Sequence, residues 1–281
     1  MQLVRSSRQM SAISHRLQRQ GKRIGVVPTM GALHDGHLSL IRAACAENDV
    51  VIVTIFVNPL QFGPTEDYRR YPRKLDRDIR LARAAGADLI FAPSVRELYP
   101  EGFQVAVDVG PLAARWEGTI RPEHFRGVAT VVTILFALTR PTHAYVGQKD
   151  YQQVLVIQRL VQDLRLPVRI RVCPTVREVD GLAMSSRNVY LSASERTRAR
   201  VLFQALCLAR QRIHAGARRT EAILRAMRRM IRQVRGRIDY VAIVDDKTLE
   251  PRRRLHGRLA VLLAVRVGRT RLIDNFLIDV S

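Results

Sequence analysis

The segment that decides the fold covers residues 24–41 and reads IGVVPTMGALHDGHLSLI. Residues 24–27 form a short β-branched apolar run, which predicts a buried strand ending at Pro28. Apolar residues then recur at helical spacing over residues 37–46, with Leu38 and Ile41 on one face. The segment therefore predicts a strand, a glycine-containing turn and a helix.

The same alternation continues on the C-terminal side of this segment. Strand patterns cover residues 50–57, 88–91, 144–146 and 168–172, and helix patterns cover residues 76–85, 128–139 and 151–164. Residues 94–125 are irregular and are interpreted as an inserted loop region. Alternating strands and helices predict a parallel sheet with right-handed crossovers, whose ligands bind beyond the carboxyl ends of the strands.

The pattern changes after about Pro174. Ser192 and Glu195 form a capping box, which predicts a long arginine-rich helix to about Ala215. A second helix is predicted over residues 220–234, followed by strands over residues 239–244, 259–267 and 271–278. We therefore predict an α/β fold with a parallel-sheet domain over residues 1–175 and a smaller C-terminal α+β domain over residues 176–281.

Composition describes a globular chain of 281 residues, with 47% hydrophobic and 26% charged residues. This balance excludes disordered, collagen-like and disulfide-scaffold classes. The longest apolar run, residues 128–138, is shorter than the ~20 residues of a membrane span. Residues 1–20 are polar and carry no secretory pattern. Three cysteines without metal-type spacing are interpreted as buried apolar residues of a reducing compartment, so we expect a cytoplasmic protein without a membrane partner; they are Cys45, Cys173 and Cys207.

The net charge of +22 has two interpretations. A nucleic-acid-binding protein would carry such an excess and would bind with steep salt dependence. However, only four of the 47 basic residues are lysines, and the arginines are spread along the whole chain. An arginine-favouring coding bias explains this distribution, and we expect no nucleic-acid partner.

The turn at residues 28–37 carries the strongest chemical pattern. Gly31 and Gly36 permit close approach of a ligand to the backbone, and the following helix directs unpaired N–H groups toward phosphate. His34 and His37 are three residues apart, so both face the same way and can donate protons to phosphate oxygens. The alternatives are a metal-binding histidine pair and a helix cap with two surface histidines.

Three further loops carry polar side chains. Asn58 and Gln61 follow a buried strand and can bind a hydroxyl or carboxylate, although an ordinary polar turn has the same pattern. Lys149, one of the few lysines, lies next to a glycine-containing strand end and suits phosphate as a point charge. The alternative there is a helix N-terminus capped by Asp150. Residues 184–187 offer two hydroxyls and a guanidinium for a polyphosphate group, or form a serine-rich linker.

Taken in order, these motifs resemble the pantothenate synthetase family, the AMP-forming pantoate–β-alanine ligases. The resemblance extends over nearly the full length, at residues 28–41, 58–63, 71–73, 124–128, 130–132, 147–153 and 184–188. It implies a nucleotidyltransferase-type Rossmann domain. The His-x-Gly-His and Met-Ser-Ser-Arg elements are similar to the HIGH and KMSKS elements of class I aminoacyl-tRNA synthetases.

The resemblance implies a two-step reaction in which pantoate and ATP give pantoyl adenylate, which β-alanine converts to pantothenate and AMP for coenzyme A biosynthesis. It further implies Mg²⁺ with ATP and a homodimer. A reactive acyl adenylate must be protected from water, which makes the C-terminal domain a candidate lid. The implied catalytic residues are His34, His37, Lys149 and Arg187. The implied ATP-binding residues are Met30, Gly31, Ala32, Leu33, His34, Asp35, Gly36, His37, Gly147, Gln148, Lys149, Asp150, Val176, Met184, Ser185, Ser186 and Arg187.

The implied pantoate-binding residues are Asn58, Gln61 and Gln153, and Gln61 is also implied in binding β-alanine. The resemblance does not identify the magnesium ligands. Asp35 and Gln148 each replace a glutamate that is usual in the family; the first change keeps the charge, and the second removes a carboxylate beside Lys149. Another adenylate-forming enzyme of the same fold, acting on a different acid, remains an alternative.

Overall fold

A computed structural model describes residues 1–280 and shows two compact units. The N-terminal unit contains Met1–Gln148 and Gln152–Pro174. The C-terminal unit contains Lys149–Tyr151 and the described residues from Thr175 onward. No helix within residues 1–280 is long and apolar enough to cross a membrane.

Six parallel strands form the sheet of the N-terminal unit, in the order β1-β4-β3-β2-β5-β6. These are β1 (Gln2–Val4), β2 (Ile24–Thr29), β3 (Val50–Ile55), β4 (Leu89–Phe91), β5 (His143–Gly147) and β6 (Arg169–Cys173). The helices are α1 (Ser7–Arg19), α2 (Asp35–Glu47), α3 (Leu75–Ala84), α4 (Val95–Leu98), α5 (Pro111–Ala114), α6 (Glu117–Ile120), α7 (His124–Thr139) and α8 (Tyr151–Asp163). The predicted α/β sheet is confirmed.

One sequence interpretation in this unit needs correction, and one segment carries elements that were not predicted. The polar segment 1–20, for which no secondary structure was predicted, contains the edge strand β1 and the helix α1, whose buried residues include Met10 and Ile13. The irregular segment 94–125 contains three helices of four residues each, α4, α5 and α6. Helices this short complete about one turn and leave no periodic pattern in sequence.

Both faces of the sheet are covered, which explains the unbroken apolar runs of its central strands. Val26 packs with Val128 and other residues of α7 in one core cluster. Its neighbour Val27 packs with Leu38 and Ile41 of α2 in another cluster on the opposite face. Successive strand residues point to opposite faces, so a strand covered on both sides is apolar at every position.

The order of the strands locates a binding crevice. β2 lies between β3 and β5, so the connections leaving β2 and β5 run to opposite sides of the sheet. In open α/β sheets a ligand crevice forms beyond the carboxyl ends of the strands at such a reversal. The turn after β2 begins at Met30, and Gly147 ends β5 at the same edge.

The C-terminal unit combines three helices with the antiparallel sheet β7-β8-β9. Its elements are α9 (Ala193–Ala199), α10 (Val201–His214), α11 (Thr220–Gln233), β7 (Arg237–Asp245), β8 (Gly257–Val267) and β9 (Thr270–Val280). The predicted α+β arrangement and the Ser192–Glu195 capping box are confirmed. The predicted single helix is divided at Arg200, which still has helical backbone angles (φ −57°, ψ −21°).

Candidate active site

A buried carboxylate fixes the conformation of the turn after β2. Asp78 on α3 accepts hydrogen bonds from the backbone N–H groups of Ala32 and Leu33, both over 2.8 Å. Gly31 and Ala32 adopt left-handed angles, with φ of +79° and +51°. A Cβ at Gly31 would lie 2.9 Å from Oδ2 of Asp78, so glycine is required by both conformation and space. Sequence reasoning missed Asp78, which lies 46 residues beyond Ala32.

Thr29 fixes the start of this turn. Its hydroxyl donates to the carbonyl of Thr54 over 2.7 Å and accepts from the N–H of Gly31 over 3.1 Å. Thr29 is buried, whereas the next residue, Met30, is partly exposed. The turn therefore leaves the sheet in one conformation and presents Met30 at the carboxyl edge.

His34 and His37 lie together at the start of α2, as their spacing predicts. His34 is the N-cap in an extended conformation, and its backbone N–H donates to Nδ1 of His37 over 3.3 Å. The two rings lie 4.1 Å apart. Because Nδ1 of His37 accepts, the neutral ring carries its proton on Nε2. The cap interpretation and the phosphate-binding interpretation are thus compatible, since the cap orients the ring that would donate.

The turn after β3 brings two amide side chains together. Asn58 is 1% exposed, and its Nδ2 donates to Oε1 of Gln61 over 3.1 Å. Gln61 ends the 3-10 turn Pro59–Gln61, and its Nε2 lies 3.0 Å from Sδ of Met30. This contact joins the second predicted loop to the first within the N-terminal unit.

The backbone of Gln61 is held by residues near the start of α7. Its carbonyl accepts from Nδ1 of His124 over 2.9 Å and from Arg121 over 3.2 Å. Glu66 in turn holds the Arg121 guanidinium through two bonds of 2.7 and 2.6 Å. Sequence reasoning did not identify this group, although His124 lies in a segment that carries the family resemblance.

His124 is neutral in this network. Burial, followed by the nearby Arg121 charge, lowers its pKa from 6.5 to about 4. Arg121 lies 3.2 Å from Nε2 of His124, and because a guanidinium only donates, the ring proton resides on Nδ1 and points at Gln61. Gly127, one turn later, lets α7 approach closely, because a Cβ there would lie 2.2 Å from the Leu60 carbonyl oxygen.

Two adjacent glutamines on α8 have different environments. Gln152 is buried; its Nε2 donates to the carbonyls of Leu112 and Arg115, and its Oε1 accepts from Glu117 N–H. It therefore anchors the segment that carries α5 and α6. Gln153, the predicted substrate-binding residue, remains partly exposed.

The predicted phosphate-binding loop of the C-terminal unit is built on a tight hairpin. Met184 N–H donates to the Val176 carbonyl over 3.0 Å, and Glu178 N–H donates to the Leu182 carbonyl over 2.9 Å. The hairpin therefore places Val176 beside Met184, and both remain predicted ATP-binding residues. Ser185 caps the following 3-10 turn by accepting from Arg187 N–H over 3.2 Å.

Ion pairs hold this loop in place. Glu178 accepts two bonds from Arg196, of 2.8 and 2.6 Å, and one from Asn188 Nδ2 of 2.8 Å. These hydrogen bonds, led by those from Arg196, lower the pKa of the Glu178 carboxyl. Asp180 also contacts Arg196, over 3.1 Å. None of these three charged residues was predicted, because their partners are 16 and 18 residues apart and belong to no local motif.

Lys149 belongs to the C-terminal unit. Its carbonyl accepts from Asn275 Nδ2 over 2.9 Å, and its ammonium lies 3.4 Å from Oδ1 of Asp150. The neighbouring Asp274 is buried and receives both guanidinium nitrogens of Arg177, over 2.6 and 2.9 Å. One hydrogen bond from Asn275 of β9 therefore holds the backbone of Lys149, whose side chain is 20% exposed.

The remaining candidates have less specific surroundings. Residues 1–280 contain no group of three or more histidine, cysteine or acidic side chains arranged for a metal ion. The three cysteines are free but half-buried, which corrects the expectation of full burial. Asp35 lies exposed in the first turn of α2, where a negative charge is favoured by the helix dipole.

Comparison with known proteins identifies the family. The sequence profile of the family described as pantoate–β-alanine ligase matches residues 2–277. The pantothenate synthetase of Roseiflexus sp. (strain RS-1) is 58% identical over 256 residues, covering 91% of this chain and 92% of the relative. The pantothenate synthetase structure of Thermus thermophilus is 50% identical, with a TM-score of 0.94, and covers 98% of this chain and 99% of that one.

A second solved structure carries ligands. The pantoate–β-alanine ligase of Francisella tularensis, described as complexed with β,γ ATP and β-alanine, is 38% identical, with a TM-score of 0.81 and coverage of 99% and 97% of the two chains. The profile spans most of this chain, and the relatives cover it almost end to end. The chain therefore belongs to the pantoate–β-alanine ligases, the enzymes known as pantothenate synthetases.

Proposed function

We propose that this enzyme joins pantoate to β-alanine through a pantoyl adenylate. In the first step a pantoate carboxylate oxygen attacks the α-phosphorus of ATP, and the bond to pyrophosphate breaks. In the second step the amine of β-alanine attacks the acyl carbon, AMP leaves with the bridging oxygen, and the amine loses a proton. The observation that supports the proposal is the contact of Gln61 with Met30, which puts the Gln61 amide beside the turn that leads into the His34–His37 cap.

Phosphate binding is assigned to residues 30–37, 147–150 and 184–187, together with Val176. The N-terminus of α2 directs N–H groups and a positive dipole end toward anions, and Nε2–H of His37 would donate to the charge that develops on the α-phosphate. Lys149 and Arg187 would neutralise the departing pyrophosphate. The proposed ATP-binding residues are Met30, Gly31, Ala32, Leu33, His34, Asp35, Gly36, His37, Gly147, Gln148, Lys149, Asp150, Val176, Met184, Ser185, Ser186 and Arg187.

Recognition of the two acids is assigned to glutamines at the carboxyl edge of the sheet. Gln61 would bind pantoate and β-alanine, and Gln153 would bind pantoate. Both are amides, which bind hydroxyl and carboxylate groups without adding charge.

Further properties follow from the family. We propose that Mg²⁺ enters with ATP, since it binds largely through phosphate oxygens and retains waters. We also propose a cytoplasmic homodimer, and a C-terminal unit that closes during turnover, because an acyl adenylate must be kept from water. Sedimentation of the purified chain tests the dimer directly.

The decisive experiment separates the two half-reactions. Pantoate-dependent exchange of pyrophosphate with ATP, measured without β-alanine, reports the adenylate. AMP formation should then require both acids. Exchange that needs β-alanine would exclude a free adenylate, and faster exchange with another hydroxy acid than with pantoate would transfer the assignment to that acid.

A further inference from the structure

We propose that Asn58 is a positioning residue that fixes which end of the Gln61 amide faces the substrate. The inference rests on the proposed function of Gln61 in acid binding. It also changes the expected role of Asn58, from contacting pantoate to acting through its neighbour. The chain of hydrogen bonds that supports this role begins at two backbone groups whose polarity cannot change.

The first step is the orientation of Asn58 itself. The N–H of Leu60 can only donate, and it lies 3.2 Å from Oδ1 of Asn58. The carbonyl of Gly127 can only accept, and it lies 3.0 Å from Nδ2. Turning the Asn58 amide over would place Nδ2 against the Leu60 N–H and Oδ1 against the Gly127 carbonyl. The backbone therefore fixes the positions of the amide oxygen and nitrogen.

The second step passes this polarity to Gln61. Nδ2 of Asn58 is a donor and lies 3.1 Å from the Gln61 amide, so the atom that meets it must be the oxygen, Oε1. Nε2 of Gln61 then points away from Asn58, toward Met30. The reversed amide would oppose two NH₂ groups in a buried position and lose a hydrogen bond, a cost that burial increases.

The third step is to count the hydrogen-bonding groups of Asn58 that remain unused. Its Oδ1 accepts from Leu60 N–H and, over 2.8 Å, from the Tyr99 hydroxyl. Its Nδ2 donates to Gln61 and Gly127. Both lone pairs and both hydrogens are therefore used within the protein, and the side chain is 1% exposed. Asn58 has no hydrogen-bonding capacity to spend on a substrate.

The consequence is a rule of recognition. Gln61 presents its NH₂ group, so the part of the substrate that it meets must be a hydrogen-bond acceptor, such as a carboxylate or hydroxyl oxygen. A reversed Gln61 would present an oxygen to that acceptor and repel it. Asn58 thereby selects the polarity of the substrate without touching it.

A double-mutant cycle tests this role. Asn58→Ala should lower kcat/KM for pantoate about tenfold, mainly through a higher KM, and should change the KM of ATP much less. In a Gln61→Ala background the same substitution should cost less than about twofold, because its effect passes through Gln61. Additive losses in pantoate kcat/KM would overturn the proposal and restore direct contact between Asn58 and pantoate.

Two further variants guard against a structural explanation. Asn58→Asp keeps the shape but cannot donate to Oε1, so it should raise the pantoate KM as Asn58→Ala does; a normal pantoate KM would contradict the proposal. Asn48→Ala removes a polar side chain that bonds Tyr145 at the opposite end of the sheet, and it should leave the ratio of pantoate to ATP KM unchanged. A wild-type enzyme that shows no pantoate-dependent exchange would refute the proposed function rather than this inference.

Discussion

The backbone N–H of His34 donates to the ring of His37, so the helix cap determines which nitrogen of His37 carries the proton. Because Nδ1 accepts, the neutral ring of His37 carries its proton on Nε2. The two rings lie 4.1 Å apart at the N-terminus of α2. One local contact therefore combines helix capping with the orientation of a proposed transition-state donor.

This relationship predicts different effects for two substitutions of His37. Asparagine places an oxygen near the position of Nδ1 and keeps the cap, but it has no donor at the position of Nε2. His37→Asn should therefore retain the melting temperature and lose ~10²–10³ in pantoate-dependent exchange. His37→Gln, whose Nε2 can replace the donor, should retain more activity. Equal activity in the two variants would contradict the assigned tautomer.

Asp78 should control the turn after β2. Asp78→Asn replaces one acceptor oxygen with a donor, which then faces a backbone N–H in a buried site. We expect a loss of ~1–3 kcal/mol in the free energy of unfolding and a higher KM for ATP. Urea titration and initial-rate kinetics measure the two effects. Asp76→Asn is the matched control, because Asp76 lies exposed on the same helix and should leave both quantities nearly unchanged.

Lys149 should not tolerate replacement by arginine. An ammonium acts as a compact point charge between phosphate oxygens, whereas a guanidinium is planar and larger. Lys149→Arg should keep the fold yet lose roughly 10² in exchange activity. The attack of β-alanine on preformed pantoyl adenylate should change less. Gln148→Glu, which restores the usual family residue, should be tolerated; full exchange activity in Lys149→Arg would show that the lysine is incidental.

His124 should make the N-terminal unit sensitive to acid. Its folded pKa of about 4 lies below the ordinary 6.5, so the unfolded chain binds the extra proton between these values. The contribution of neutral His124 to the free energy of unfolding is complete above pH 6.5 and is lost as the pH falls toward 4. The free energy of unfolding then decreases by up to ~1.4 kcal/mol per pH unit. Urea unfolding across a pH series between neutrality and the folded pKa measures this slope. His124→Asn, which can still donate to Gln61, should flatten it; an unchanged slope would assign the acid sensitivity to other groups.

The sequence predicted secondary structure and contacts correctly where the hydrophobic pattern was periodic or where the contacting residues were close in the chain. The apolar alternation located the central strands, and the two-helix, three-strand pattern located the C-terminal fold. The short spacings His34–His37 and Ser192–Glu195 predicted contacts within one helical turn, which the geometry of a helix guarantees. The missed elements β1 and α4 to α6 are only three or four residues long, too short for a periodic pattern. The missed helix α1 does carry apolar residues at helical spacing, Met10, Ile13 and Leu17, within a mostly polar segment.

The sequence by itself determined the parallel-sheet architecture and placed the candidate loops after the carboxyl ends of its strands, because hydrophobic periodicity and chain order are properties of the sequence. Only the tertiary structure decided which residues support those loops. Asp78 reaches Ala32 across 46 residues, and His124 reaches Gln61 across 63. Such hydrogen bonds depend on how α3 and α7 pack beside the turns. The bonds of Asn58 to Leu60 and Gln61 lie within one turn, but packing supplies its bonds to Gly127 and Tyr99, which use the rest of its hydrogen-bonding capacity inside the protein.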